Sequence, residues 1–279
     1  MKLTVINTGF FKLDGGAMFG VVPKSIWNKL NPADEKNLCT WAMRCLLVED
    51  GDRCILIDNG IGDKQDARFL SFYYLHGDDT LIGSLNAAGY TANDVTDMFL
   101  THLHFDHCGG GVYLDNGKPA LTFPNAVYWS NEDHWQWATV PNAREKASFL
   151  KENILPMQDS GQLRFVDVGG VSPFESFDIY YASGHTDKMM LPMIRYKDKV
   201  ICFVSDLIPS VGHIPLPYLM AYDTRPLIAL EEKERFLKEA ADRRYVLFFE
   251  HDPQFECCTV RHTEKGVRLD RTFSLSEIL

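Results

Sequence analysis

The stretch that decides the fold is Thr101-His102-Leu103-His104-Phe105-Asp106-His107-Cys108-Gly109-Gly110. Three imidazoles and one carboxylate follow directly on the apolar segment 95–100, which is predicted to be a strand. If strand geometry continues, His102, His104 and Asp106 point to one side, because strand side chains alternate. A turn of the chain at Asp106 then brings His107 toward the same space, and the glycines that follow let the backbone turn tightly. Imidazole nitrogen and carboxylate oxygen are ligands that zinc accepts, so the stretch predicts a metal site and not a polar loop with surface histidines.

Three predicted strands later in the chain each end in one further candidate ligand. These are His185 after strand 177–182, Asp206 after strand 200–204 and His251 after strand 245–249. With these in place, the signature His102-x-His104-x-Asp106-His107, followed in order by His, Asp and His, resembles the metallo-β-lactamase-fold superfamily of metallohydrolases.

The resemblance implies a two-metal site, with two Zn²⁺ as the expected ions and Mn, Fe or Co as alternatives. Its ligand sets are His102, His104 and His185 for one ion, Asp106, His107 and His251 for the other, and Asp206 as the bridge. The implied nucleophile is a hydroxide between the ions, since metal coordination lowers the pKa of water to roughly 7. Asp106 and Asp206 therefore count as catalytic residues as well as ligands. Asp58, after strand 53–57, resembles the aspartate of a turn beneath the metal site. Two roles stay open for it, which are to orient a histidine or merely to form the turn.

Residues 205–223 resemble the N-acyl homoserine lactonase branch of the superfamily, the quorum-quenching lactonases, so the expected reaction is hydrolysis of a lactone. The resemblance leaves open a phosphotriesterase, a glyoxalase II-like thioesterase, a persulfide dioxygenase-like enzyme with a single iron, and a non-catalytic binding protein. Dinuclear β-lactamases commonly have Cys at the position of Asp206, and no cluster of Lys and Arg for glutathione is evident.

Two positions depart from the family pattern. Many lactonases carry a tyrosine three residues after the bridging aspartate, where this chain has Pro209, and many members have a glycine where it has Lys188. His213 or Tyr222 is the candidate catalytic substitute for the missing tyrosine, and packing of the loop is the alternative role for both.

An apolar segment near the N-terminus is the candidate substrate-binding wall. Its members are Phe10, Phe11, Met18, Phe19 and Trp27. One interpretation is a flap over a pocket that accepts an acyl chain. The other is a surface loop folded onto the core.

Composition narrows the class of partner. The net charge of −10 over 279 residues argues against nucleic acid, which requires a basic patch. No apolar run reaches the length of a signal peptide or a membrane span. Seven cysteines without a spacing framework indicate reduced thiols in a cytoplasmic protein. We therefore expect a small-molecule substrate, no nucleic acid, no membrane, and a monomer or homodimer.

The order of the predicted elements indicates the architecture. Runs of strands are followed by helices in both halves of the chain, and no low-complexity linker divides it. This order predicts one α/β domain over residues 1–279, an αββα sandwich of two mixed β-sheets flanked by helices, as in the metallo-β-lactamase fold.

Overall fold

The computed structural model describes all 279 residues as two compact units. Unit 1 contains Met1–Gly9 and Met43–Glu175, and unit 2 contains Phe10–Ala42 and Ser176–Leu279. The chain passes between the units within two of its strands, so neither unit is one continuous segment. That residues 1–279 form one domain stays a prediction.

Fourteen strands and eight α-helices alternate along the chain. In order they are β1 (Lys2–Asp14), α1 (Gly15–Phe19), α2 (Lys24–Trp27), β2 (Leu38–Asp50), β3 (Arg53–Ile57), α3 (Ala67–Ser71), α4 (Leu81–Ala87), β4 (Asp97–Phe99), α5 (Phe105–Cys108), β5 (Val112–Asp115), β6 (Lys118–Leu121), β7 (Val127–Asn131), α6 (Glu132–Thr139), α7 (Lys151–Asp159), β8 (Leu163–Val166), β9 (Phe177–Ala182), β10 (Met189–Tyr196), β11 (Lys199–Phe203), α8 (Pro226–Arg243), β12 (Val246–Phe248), β13 (Cys257–Thr263) and β14 (Gly266–Phe273).

The sheet of unit 1 has the strand order β1-β2-β3-β4-β7-β8. From β3 to β8 the neighbouring strands are parallel. Apart from Arg53 and Asp97 at their first positions, strands β3 and β4 are short apolar runs that are buried, as parallel strands under helices are. Leu85 of α4, Trp135 of α6 and Met157 of α7 join their core. Because parallel strands end at one edge, the segments that follow β3, β4 and β7 emerge together.

The sheet of unit 2 has the order β14-β13-β12-β11-β10-β9. Strands β11 and β12 are parallel, while β10 is antiparallel to both β9 and β11. The carboxyl ends of β9, β11 and β12 therefore lie at one edge. Helix α8 packs Phe236, Leu237 and Ala240 into the core on this sheet.

Most predicted elements are present, and the short helices α1, α2, α3 and α5 are additional to them. The sequence pattern predicts a first strand over residues 3–8, but β1 continues to Asp14, so Phe10 and Phe11 are strand residues. The sequence pattern also predicts a helix over 143–155, which is wrong in its first part, because Asn142 caps a turn there and α7 begins at Lys151. The β5–β6 hairpin was not predicted. Two mixed sheets flanked by helices confirm the α/β class, and no helix has both the length and the apolar character needed to cross a membrane.

Candidate metal centre

Unit 1 places Asp58 and the histidine stretch at the carboxyl ends of two parallel strands. Asp58 follows β3, and Thr101 and His102 follow β4. Ile57 and Phe99, the last residues of the two strands, are register partners. The register therefore brings Asp58 beside the start of the histidine stretch, because parallel strands end at the same edge of the sheet.

Asp106 and His107 lie in the single helical turn α5 and not in extended backbone. The expectation that strand geometry continues from His102 to Asp106 is wrong, since β4 ends at Phe99. His104 is the last extended residue, and its carbonyl accepts the N–H of His107 at 3.1 Å. The helical turn, and not strand alternation, brings the ring of His107 within 3.9 Å of the ring of His102.

The glycines after α5 permit a close backbone approach. A Cβ on Gly109 would lie 2.1 Å from the carbonyl oxygen of Ile61, and one on Gly110 would lie 2.2 Å from that of Asn59. Gly109 itself has a φ of −66°, which any residue can adopt. The need for glycine here is therefore lack of space, since the loop after β3 lies directly against the stretch.

The imidazoles of unit 1 are buried and crowded. His102 and His107 are fully buried, and His104 and Asp106 nearly so. His102 Nε2 and His104 Nδ1 are 3.0 Å apart. His107 Nε2 lies 3.8 Å from a carboxylate oxygen of Asp106.

Each of these rings has an acceptor for its other nitrogen. His102 Nδ1 lies 3.1 Å from Thr101 Oγ1, which donates to Asp58. His107 Nδ1 lies 3.1 Å from Asp58 Oδ2. His104 Nε2 lies 3.2 Å from Glu145 Oε1. These acceptors assign the protons to the outer nitrogens, so a lone pair is placed on His102 Nε2, His104 Nδ1 and His107 Nε2.

Unit 2 presents three candidate ligands at the edge where β9, β11 and β12 end. His185, Asp206 and His251 are all at least nine-tenths buried. His185 Nε2 lies 3.1 Å from Asp206 Oδ2, and His251 Nε2 lies 3.0 Å from Asp206 Oδ1. One carboxylate thus presents a different oxygen to each of two imidazoles.

The outer nitrogens in unit 2 also have acceptors. His185 Nδ1 lies 3.0 Å from Asp223 Oδ1, and His251 Nδ1 lies 2.8 Å from the carbonyl of Ala42. Burial opposes protonation of His185, but the charges and hydrogen bonds of Asp206 and Asp223 outweigh it and raise its pKa to about 10. In the metal-free protein a proton balances these two carboxylates.

The donor set fits divalent metal ions. Lone pairs that face each other 3.0 Å apart, as in His102 and His104, repel unless a cation lies between them. Two nitrogens at zinc-bond length from one tetrahedral ion lie about 3.3 Å apart, close to this spacing. The ligand atoms of His102 and His104 lie within 4.8 Å of one another, as do those of His185 and Asp206. The residues present therefore suit nitrogen and oxygen coordination.

Cys108 lies beside the ligands but offers no thiolate. Its Sγ contacts the carbonyl of Leu103 at 3.3 Å, and burial raises its pKa to about 12. This agrees with a compact residue behind the glycine turn. All seven cysteines are free thiols and buried.

His213 and Tyr222, the candidate substitutes for the missing tyrosine, have different surroundings. His213 is buried, with Nδ1 2.8 Å from Ser210 Oγ and Nε2 2.9 Å from the carbonyl of Met18. Both ring nitrogens thus have partners, which favours the alternative role of loop packing for His213. Tyr222 is 39% exposed.

The predicted substrate wall lies mostly in the interior. Phe11, Met18, Phe19 and Trp27 are at most 2% exposed, and only Phe10 is partly exposed. Phe19 stacks on Trp27 with ring centroids 5.4 Å apart and on His213 at 4.5 Å. The side chains fill space against one another, so the structure favours the interpretation of a segment folded onto the core.

A different aromatic group borders the histidine stretch in unit 1. Phe105, between His104 and Asp106, contacts Phe69 of α3 at a centroid distance of 5.3 Å and Tyr73 at 4.7 Å. Burial raises the pKa of Tyr73 to about 12, and the charge of Asp106 adds to the rise. Sequence reasoning missed this group, although Phe69 and Tyr73 are four residues apart and Phe105 lies within the motif.

Sequence reasoning also missed the acceptors that orient the rings. Glu145 and Asp223 lie 41 and 38 residues from the histidines they contact. No local pattern marks either residue. His134 has no partner motif in the sequence, which predicts a structural role, and it accepts the N–H of Leu103 at 2.9 Å.

Comparison with known proteins agrees with this geometry. Residues 44–251 match the model of the Metallo-beta-lactamase superfamily. An N-acyl homoserine lactonase from Bacillus cereus is 26% identical over 253 residues, which is 83% of this chain and 88% of the relative.

Two solved structures are similar over nearly the whole chain. A probable metal-dependent hydrolase from Staphylococcus aureus has a TM-score of 0.87 and 26% identity, covering 98% of this chain and 96% of its own. AidC, a dizinc quorum-quenching lactonase in complex with a product, has a TM-score of 0.78 and 25% identity, covering 97% and 94%. The family match covers residues 44–251, ends at the last candidate ligand, His251, and so spans well over half of the sequence. The chain therefore belongs to the metallo-β-lactamase superfamily, as one of its metal-binding hydrolases.

Proposed function

We propose that this chain is a dinuclear zinc hydrolase that opens a lactone such as an N-acyl homoserine lactone. The observation that carries the proposal is the Asp206 carboxylate, whose two oxygens lie 3.1 and 3.0 Å from Nε2 of His185 and of His251. Each oxygen faces a histidine that is assigned to a different ion, which supports the proposed bridging role of Asp206.

The ligand assignment is the one that the family resemblance implies. His102, His104 and His185 hold one ion, Asp106, His107 and His251 hold the other, and Asp206 bridges them. Bound divalent ions lower the pKa of water to roughly 7 and polarise a carbonyl oxygen, so the chain need supply no Ser or Cys nucleophile. Asp58, Glu145 and Asp223 keep the rings in the tautomers that coordination requires.

The lactone substrate is supported by the relatives and by the aromatic group. N-acyl homoserine lactonases are among the relatives of this chain, and AidC is described as a lactonase with a product bound. Phe69, Tyr73 and Phe105 form an apolar surface beside His104 and Asp106. We assign the acyl chain to this surface, in place of the buried residues of the 10–27 segment.

Metal analysis tests the dinuclear centre. Elemental analysis of protein purified with zinc in excess is expected to give two ions per chain. Asp206→Asn keeps the size of the side chain but removes the charge that balances two dications, so it loses at least one ion and most of its turnover. One tightly bound ion in the wild-type protein, or an Asp206→Asn variant with full metal content and activity, contradicts the bridge.

A hydrolysis panel on the zinc-loaded protein tests the substrate. N-acyl homoserine lactones are compared with phosphotriesters, thioesters and β-lactams, and the lactones are expected to give the highest kcat/KM. Good phosphotriesterase or thioesterase activity without lactonase activity favours those alternatives and leaves the metal centre in place. One bound iron with activity on thiol substrates favours the persulfide dioxygenase-like alternative.

A further inference from the structure

Helix α8 contacts the turn that carries His185. Glu232 accepts the N–H of Ser183 on Oε1 and the N–H of Gly184 on Oε2, each at 2.9 Å. Hydrogen bonds to an ionised carboxylate are stronger than neutral ones. One side chain of α8 therefore holds two consecutive amides immediately before the candidate ligand.

The carbonyl side of the same turn is held as well. The carbonyl of Gly184 accepts the N–H of Arg225 at 2.9 Å, and that of His185 accepts the N–H of Thr224 at 3.1 Å. A Cβ on Gly184 would lie only 2.2 Å from the backbone nitrogen of Ala229. The turn thus lies directly on the first turns of α8, with no room for a side chain between them.

The next residue of α8, Lys233, is buried. Its side chain is 1% exposed, and its ammonium donates to the carbonyls of Pro215, Leu216 and Tyr218 at 3.1, 3.4 and 2.8 Å. Three carbonyls use the three donors of the ammonium. Burial lowers the pKa of Lys233 to about 7, against the charge of Asp223. A group this costly to bury holds the segment 215–218 to the helix.

Segment 215–218 leads to the residue that orients the ring of His185. Asp223 Oδ1 lies 3.0 Å from His185 Nδ1, and Asp223 Oδ2 accepts the N–H of Met220 at 3.1 Å. The backbone of His185 therefore depends on Glu232. Its ring depends on Asp223, which follows the segment held by Lys233.

We propose that Glu232 and Lys233 are positioning residues that set the affinity of the metal ion bound by His185. Glu232 fixes the turn, and Lys233 fixes the loop that delivers Asp223 to the ring. The inference rests on the proposed function, since it takes His185 as a metal ligand.

Zinc titration of the metal-free protein in the presence of a competing chelator tests the inference. Glu232→Gln replaces one acceptor by an amide that faces an N–H, and Lys233→Met keeps the stem but leaves three carbonyls without a donor. Each is expected to weaken one of the two zinc-binding steps about tenfold and leave the other unchanged, as loss of a group that orients a ligand does.

Glu234→Gln and Lys238→Met are matched controls on the same helix. These residues form an exposed i,i+4 pair with the same charges, 2.8 Å apart, and neither contacts the turn. Both zinc-binding steps are expected to stay at wild-type affinity in the controls. Thermal unfolding of each metal-free variant identifies any variant that does not fold. If Lys233→Met does not fold, the zinc affinities of Glu232→Gln alone test the inference.

The outcomes separate the inference from the proposed function. If the wild-type protein shows two zinc-binding steps and both keep their affinities in Glu232→Gln and Lys233→Met, the inference is overturned and the proposed function stays intact. Equal weakening of both steps also overturns it, because it indicates general destabilisation instead of positioning. Absence of any zinc-binding step in the wild-type protein overturns both.

Discussion

At Asp58 one buried carboxylate meets three donors. Its Oδ1 accepts the N–H of Thr101 at 2.8 Å, and its Oδ2 accepts the Thr101 hydroxyl at 2.6 Å and lies 3.1 Å from His107 Nδ1. The residue has a φ of +57°, a conformation that costs energy for a residue with a side chain. Of the two roles left open for Asp58, this geometry favours orienting a histidine over simply forming a turn.

Asp58→Asn is expected to lower the affinity for the ion assigned to His107 by about 10- to 100-fold. The substitution keeps the shape of the side chain, but one oxygen becomes an amide that faces a donor. Chelator competition measures the affinity. Asp52→Asn, in the exposed turn between β2 and β3, serves as the control. If Asp58→Asn binds zinc with wild-type affinity, Asp58 only forms the turn and does not orient the histidine.

Lys188 stands where many family members have glycine, and its φ is +52°. The backbone here has the left-handed conformation that glycine favours, although the residue carries a side chain. Lys188→Gly is expected to raise the free energy of unfolding by about 0.5–1 kcal/mol, because the strain relieved exceeds the flexibility glycine adds. Urea unfolding measures the change. Lys188→Val introduces a β-branched residue and is expected to lower stability. If Lys188→Val is instead more stable than Lys188→Gly, the backbone at this position is not strained.

Helix α1 is short, and the core retains it. Asp14 caps it by accepting the N–H of Ala17 at 2.9 Å. Its last residue, Phe19, is fully buried between the rings of Trp27 and His213. A helix of five residues has little stability of its own, so packing of Phe19 holds it.

Phe19→Ala is expected to cost about 3–5 kcal/mol of unfolding free energy, the range for a buried Phe. Val21→Ala, two residues on at a side chain 94% exposed, is expected to change it by no more than about 0.5 kcal/mol. Urea unfolding of the two variants gives both values. If Phe19→Ala instead leaves stability unchanged and lowers only the activity on long-chain substrates, the substrate wall lies in the 10–27 segment after all.

Helix α3 and the residues after it form the apolar surface we assign to the acyl chain. Phe69 is partly exposed, and Phe72 next to the helix is 62% exposed. Large apolar side chains grouped at a surface are typical of binding sites. Phe105 joins this surface to the histidine stretch.

The α3 surface predicts a dependence on acyl-chain length. Each buried methylene is worth about 0.8 kcal/mol, so kcat/KM is expected to rise up to about fourfold per methylene until the surface is covered. Phe69→Ala is expected to flatten this rise. Val171→Ala, at a side chain 95% exposed in the same unit, is the control and should keep it. A flat profile in the wild-type protein contradicts the assignment of the acyl chain.

The stability of the whole molecule depends on pH through histidines that the fold buries. Burial lowers the pKa of His213 from 6.5 to about 3. The unfolded chain therefore binds a proton at a pH where the folded chain does not. This contribution to stability is complete above pH 6.5 and is lost as the pH falls toward 3.

His213→Gln is expected to reduce the acid sensitivity of the metal-free protein. Between pH 6.5 and 4.5 the wild-type protein loses up to about 1.4 kcal/mol per pH unit through this one group. His185, with a pKa raised to about 10, is protonated in the folded state throughout this range, and its contribution is the same in both proteins, so it cancels from the difference between the two curves. Urea unfolding in EDTA at several pH values measures the difference, and parallel curves for the two proteins contradict it.

The sequence by itself determined the family, the α/β class and the position of each candidate ligand relative to a strand. These features are local, because an apolar run predicts a strand and the residues after it lie at a sheet edge. His102, His185, Asp206 and His251 all follow strands in this way. The superfamily is confirmed, while the metal roles of the individual residues stay predictions.

Only the tertiary structure decided which polar and aromatic side chains surround those ligands. Glu145, Asp223 and Glu232 contact the ligand segments from 38 to 49 residues away, and contacts at that range leave no local pattern. Burial likewise separated Phe19, which fills the core, from Phe69, which faces the surface. Both are single aromatic residues in short helices, and the exposure of each depends on what the rest of the chain packs around it.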